Sequence, residues 1–139
     1  MWWRDGQPRR NAIHTVQVLQ AALDSANAET TLKTILLPAS IQGRTSAEQA
    51  EFIRKALQDE LTPGGIDLLK KQAAFGPLRE MFPLDAEKWA RQAGVNVQDC
   101  VAFRLEKGGV RIEVVLVKQG ESYRVVRCNN VKQVAVAKL

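Results

Sequence analysis

A single histidine, His14, is all that the chain offers for imidazole chemistry. A histidine metal site or base–nucleophile pair would have to rest on that one ring. His14 sits beside a helical stripe of apolar residues, which points first to a structural role. The two cysteines, Cys100 and Cys128, have neither CxxC spacing nor a histidine beside them in sequence, so they read as buried, inert thiols. No cofactor and no metal ligand set is expected. No apolar run comes near the ~20 residues that cross a bilayer, so no membrane span is expected. Gly64-Gly65 and Gly108-Gly109 lack the spacing of a phosphate loop. There is no block of five like charges that would form a disordered nucleic-acid arm.

Residues 1–10, MWWRDGQPRR, are too polar for the core of a signal peptide. The chain as written reads as cytoplasmic, although an exported form that had lost a signal would read the same. Trp2 and Trp3 beside Arg4 could stack on bases, but a loose or docked N-terminal segment over 1–10 is the simpler reading.

What is present describes a folded domain. Apolar residues make up 45% and charged residues 25% of 139 residues, values that argue against disorder and fit one core, assigned to residues 11–139. The net charge of +5 favours anionic partners without identifying one.

Helical spacing dominates the first two-thirds. Ile13, Val16, Leu19, Ala22 and Leu23 form one stripe, with Asn11 as a candidate cap. A short helix is expected over Thr31–Leu37, ended by Pro38. Residues 38–45 read as a loop. Ser46 is expected to cap the next helix, with Gln49 completing a capping box and Phe52, Ile53, Ala56 and Leu57 facing inward. The turn Thr62-Pro63-Gly64-Gly65 precedes a shorter helix with Ile66, Leu68 and Leu69. Gly76-Pro77 forbids a continuous helix over Phe75–Phe82, leaving one helical turn at Leu78–Met81. Asp85 opens a further helix that Gly94 stops, with Trp89, Ala90 and Ala93 turned inward.

From residue 99 the period drops toward two and Val, Ile and aromatic residues take over. With Gly108-Gly109 as a two-residue hairpin turn, Leu105 faces Ile112, Phe103 faces Val114 and Val101 faces Leu116. On the other side Glu106 meets Arg111 and Arg104 meets Glu113. A one-residue slip would destroy both the apolar and the charge matches, so the register is specified twice. A second turn near Gln119-Gly120 sets Tyr123 opposite Leu116, Val125 opposite Val114 and Arg127 opposite Ile112. A last strand over Val131–Ala137 completes a meander of three or four strands. Cys100 and Cys128 then stand about five residues of ~3.4 Å and two strand spacings of ~4.8 Å apart. That exceeds the ~7 Å between Cα atoms that a disulfide allows, so both thiols should be free. The expected class is α+β, with N-terminal helices packed on one face of a curved C-terminal antiparallel sheet.

Two stretches carry a family resemblance. Leu23-Asp24-Ser25-Ala26-Asn27-Ala28-Glu29 with Leu32-Lys33-Thr34-Ile35-Leu36, after the first helix, is similar to the opening of nuclear-transport-factor-like (cystatin-like cone) domains. The stretch from Val114 through Gly120 to Val126, with Tyr123 just after the turn, looks like their closing hairpin. The resemblance covers about half of the chain, and 61–83 shows no early strand to match. It implies a curved sheet wrapped around helices, often with a pocket, and leaves function open because the superfamily hosts isomerases, dehydratases, transport factors and lipoprotein domains. No catalytic residue carries over.

Trp89, Phe103, Tyr123 and Arg127 form the constellation of interest, with Phe103, Tyr123 and Arg127 on the helix-facing side of the sheet. An arginine there must find solvent, a carboxylate or a ligand; escape past the sheet rim is the plainer explanation. The leading function is a non-enzymatic binding or interaction module with a pocket or groove between helices and sheet, for a small apolar or anionic molecule or another protein chain. A cone-fold enzyme of isomerase or dehydratase type is the alternative, and would need a carboxylate of raised pKa near Tyr123. A weak nucleic-acid binder comes last, because glutamates neutralise the basic residues of the sheet. Ala102, Val115, Val117 and Val126, with Cys100 beside them, give the outer face an apolar patch. That patch predicts a homodimer, unless the chain's own N-terminal segment or last strand covers it.

Overall fold

Six α-helices and four strands make up residues 6–131, the residues described by the computed structural model. Helix α1 spans Gln7–Asp24 and α2 Ala28–Thr34; a 3₁₀ turn at Ala39–Ile41 leads to α3, Ser46–Leu57, and α4, Pro63–Gln72. Strand β1 follows at Ala74–Pro77, then α5, Leu78–Met81, and α6, Ala86–Ala93. A second 3₁₀ turn at Val97–Asp99 enters β2, Cys100–Lys107, β3, Val110–Gln119, and β4, Ser122–Asn129. The sheet is antiparallel in the order β1-β2-β3-β4, so the class is α+β. No helix among the described residues is long and apolar enough to cross a membrane.

Local chemistry explains the helix ends, and corrects three of the expected ones. α1 starts at Gln7 with Pro8 in its first turn and Gly6 as cap, so Asn11 lies inside the helix. Asn27 accepts from the Thr30 N–H and caps α2, which therefore begins and ends three residues early. The box on α3 is Thr45 with Glu48, one residue ahead of the expected Ser46 and Gln49. That rotation turns Gln49, Ala50 and Ile53 inward and leaves Phe52 45% exposed. Pro63 sits in the first turn of α4 behind the Thr62 cap, where a missing N–H costs nothing. Gly94 ends α6 at φ 72°, as expected.

The β2–β3 hairpin has the expected register throughout, Leu105↔Ile112, Phe103↔Val114 and Val101↔Leu116 included. Its turn glycines, Gly108 and Gly109, both have positive φ. Of the two charge matches, Glu106–Arg111 is an ion pair at 3.0 Å. Arg104 instead pairs with Glu106, and Glu113 with Arg127.

The β3–β4 hairpin differs from expectation. Its turn residues are Gly120-Glu121, because Gln119 faces Ser122, so Tyr123 stands opposite Lys118 and Val125 opposite Leu116. A bulge then sets Val115 opposite Arg127 and Val114 opposite Cys128. The extra residue, Val126, inverts the alternation. Arg127 therefore lies on the outer face, and not on the helix-facing side opposite Ile112.

The fourth strand lies at the other edge of the sheet. β1 pairs Phe75 with Phe103 and Pro77 with Val101, in the stretch that showed no strand by pattern. Pro77, which has no N–H to donate, is tolerated in an edge strand. The expected strand over 131–137 lies outside the described residues apart from Val131, which bridges Leu61 in parallel. Trp2 and Trp3 also lie outside them.

Both faces of the sheet are covered. On the inner face, Phe103, Val114, Leu116 and Val125, all 0% exposed, pack with Val16 and Leu19 of α1 and Leu69 of α4. Arg9 of α1 donates to the Lys70 carbonyl at 2.9 Å and so satisfies the C-terminus of α4. On the outer face, Leu78, Phe82, Ala86 and Trp89 close over Cys100, Ala102, Val115 and Val117. Arg104 binds this layer to the sheet, donating to the Met81 carbonyl at 2.7 Å and lying 5.0 Å from the Phe82 ring centroid. The patch that predicted a homodimer is therefore interior: Val115 is 1% and Val117 2% exposed. The cover comes from residues 78–97. The run Val114-Val115-Leu116-Val117 is apolar on both sides because both sides are buried.

Candidate cleft at the β4 edge

The four residues singled out from sequence do not converge. Phe103 and Tyr123 belong to the inner cluster; Phe103 packs against Phe75 at 4.7 Å between ring centroids. Trp89 and Arg127 lie on the outer side, with the Arg127 guanidinium carbon 4.3 Å from the Trp89 ring centroid. This second pair lines a cleft of about 520 Å³.

Three elements build the cleft. α6 contributes Trp89, Arg91, Gln92 and Ala93, and β4 contributes Val126 and Arg127 at the bulge. The third wall is the segment Leu36 to Gln42. This segment is held at both ends: the Leu36 N–H donates to the Val125 carbonyl at 2.8 Å, and buried Ile41 anchors the 3₁₀ turn. Gln49, itself buried, donates its Nε2 to the carbonyls of Ile41 and Gln42 at 3.0 and 3.1 Å. A wall fixed in this way needs little ordering when a ligand arrives.

Arg127 is the polar centre. Its Nη2 and Nε donate to Glu113 Oε1 at 3.3 and 3.4 Å, and the Glu113 side chain is 11% exposed against 39% for Arg127. The Asn129 amide belongs in the orientation that points its oxygen at Nε and Nη2, at 3.3 and 3.2 Å, and its nitrogen at the Cys128 carbonyl; otherwise the amide oxygen would face only acceptors. Nη1 has no partner among the described residues. Arg91, exposed on the cleft wall, makes no hydrogen bond or ion pair among them either. The cleft is thus lined by two arginines, one of them paired with the buried Glu113 carboxylate, beside the apolar residues Leu36, Leu37, Pro38 and Val126.

Acid–base chemistry has less to stand on. Burial raises the Tyr123 pKa, and Tyr123 is sealed in the inner cluster. The displaced carboxyls Glu48, Glu51 and Glu106 all move downward, chiefly through hydrogen bonds from Thr45, Arg54 and Arg104 respectively. Burial pushes the Cys100 thiol up to about 11 and Cys128 up to about 12, so neither is a nucleophile at neutral pH. Both cysteines are unbridged, as expected, and they lie in opposite clusters of the sheet. His14 is exposed on α1. No group of three His, Cys, Asp or Glu among the described residues is placed to hold a metal ion.

Sequence reasoning missed Leu36, Leu37, Gln42 and Arg91. A faint signal existed in Leu36-Leu37-Pro38, where apolar residues continue beyond the stripe of a short helix. Arg91 carried none, because an exposed arginine in the last turn of a helix is an ordinary dipole partner. Comparisons with protein-family models, curated proteins and solved structures find no match, so the site rests on its geometry.

Proposed function

We propose that the protein is a non-enzymatic binding module that takes a small apolar or anionic molecule in the cleft beside the Trp89–Arg127 pair. The observation that carries this reading is a fixed, partly apolar concavity of about 520 Å³ with two arginines, Arg91 and Arg127, among its lining residues. Small-molecule sites have about this size, roughly 300–1,000 Å³, and this mixture of apolar lining and few polar groups. The same reading keeps the chain as a divergent nuclear-transport-factor-like domain. Its support is the order of helices before an antiparallel sheet, and the closing hairpin with Tyr123 after the turn. The space between helices and sheet is filled by Phe103, Val114 and Leu116, so binding would have moved to the β4 edge.

The test uses the full chain with Trp2→Phe and Trp3→Phe, which leaves Trp89 as its only tryptophan. Titration with 8-anilinonaphthalene-1-sulfonate should quench Trp89 saturably at one site per chain. Ala39→Phe, at an exposed position on the cleft wall, should abolish that quench without adding a second tryptophan. Unchanged binding to Ala39→Phe would take the site away from the cleft.

A further inference from the structure

We infer that the ligand of this cleft is a small organic monocarboxylate, an apolar body ending in one planar anionic group. The inference rests on the binding reading above and narrows it by charge, by donor geometry and by the shape of the walls.

The charge count favours one negative charge. Arg91 and Arg127 contribute two positive charges, and Glu113 already takes one through its 3.3 Å contact with Arg127. The surplus of one suits a monoanion. A phosphate dianion would bring a second negative charge toward Glu113 and toward the C-terminus of α6, which ends at Gly94 on the cleft wall. Both are negative in sign and would repel it.

The donors also favour a carboxylate. Arg127 is oriented before any ligand arrives, by the Trp89 ring on one side and Glu113 on another. Its remaining amino group, Nη1, carries two N–H donors that no described residue uses. Arg91 also lines the cleft, and its guanidinium has no partner among the described residues. Planar guanidinium groups match the two oxygens of a carboxylate in spacing and plane. The apolar remainder of the ligand would lie on Leu36, Leu37, Pro38 and Val126, and gain from leaving water.

The experiment compares octanoate with octanamide, which share an apolar chain and differ in charge, by Trp89 fluorescence in the Trp2→Phe, Trp3→Phe protein. Octanoate should bind about tenfold tighter, the advantage of a charge-assisted hydrogen bond over a neutral one, and high salt should erode that advantage. Arg91→Gln should weaken octanoate about three- to tenfold and leave octanamide unchanged. Arg127→Lys keeps a cation for Glu113 but loses the fork, and should act in the same direction. Arg91 is exposed and has no partner among the described residues, so Arg91→Gln keeps the test usable if Arg127→Lys does not fold. Equal binding of acid and amide, both abolished by Ala39→Phe, would overturn the carboxylate inference and leave the cleft reading standing. Octanoate binding that Ala39→Phe does not touch would remove both. Tighter binding of a short leucine-ended peptide than of octanoate, lost when that peptide is amidated, would replace the small molecule with a protein C-terminus.

Discussion

The guanidinium carbon of Arg127 lies 4.3 Å from the centroid of the Trp89 ring, and this contact joins the sheet edge to the helical layer over its outer face. Trp89 is 9% exposed and also packs against Phe82 at 5.0 Å between centroids. Trp89→Ala should cost about 3–5 kcal/mol of unfolding free energy, as for other large aromatic truncations, and should loosen Arg127 at the cleft. Urea unfolding followed by circular dichroism measures the first effect. A loss below about 1 kcal/mol would mean that α6 is not packed as described.

Phe103 tests the inner face. It is 0% exposed and meets Phe75 across the β1–β2 pair, so Phe103→Ala should lose about 3–5 kcal/mol. Coincident denaturant curves for parent and variant would show that Phe103 does not belong to a packed core.

Val115 separates an interior position from an exposed patch. Because Val115 is 1% exposed under α5 and α6, Val115→Glu should unfold the protein or lower its midpoint sharply, by burying an unpaired carboxylate. A variant with parental stability and an altered oligomeric state by light scattering would restore the outer face as an association surface.

Gln49 reports on the cleft wall. Gln49→Leu leaves the Ile41 and Gln42 carbonyls without their side-chain donor and should cost about 1–3 kcal/mol. Amide hydrogen exchange over residues 38–42 should quicken in the same variant. Unaltered exchange would show that Gln49 does not hold this segment.

The thiols set a pH dependence. Both begin from an ordinary value of 9.0, with Cys100 raised to about 11 and Cys128 to about 12 by burial. Above pH 9 the unfolded chain releases thiol protons that the folded chain retains, so stability is full below about pH 9 and falls as pH climbs toward 11–12. Replacing both with alanine should flatten the decline in urea midpoint over that window. Denatured, unreduced protein should titrate two thiols, whereas native protein at neutral pH should react slowly. Prompt reaction of both in the native state would contradict their burial.

Strand pairing was legible in sequence where two independent patterns had to agree. In the β2–β3 hairpin, apolar matches, charge matches and the positive φ required at Gly108-Gly109 select one register, and that register is observed. The helices were legible as stripes, with ends misjudged by one to five residues because nearby polar side chains, such as Thr45 and Ser46, compete for the cap position.

Long-range packing decided the rest. Ala74–Pro77 is too short to show a period, and becomes a strand because β2 presents it a free edge. Val115 and Val117 carry the same side chains whether they face a second chain or α6; only the path of residues 78–97 over the sheet buries them. Arg127 is the decisive case. Strict alternation would turn it toward the inner core among Ile112, Val114 and Leu116, where a charge without a partner costs several kcal/mol. The bulge at Val126 turns it outward, to Glu113 and Trp89. Short-range pattern determines which way a regular strand faces, but a bulge is chosen by the partners available on each side, and those come from α6 and β3.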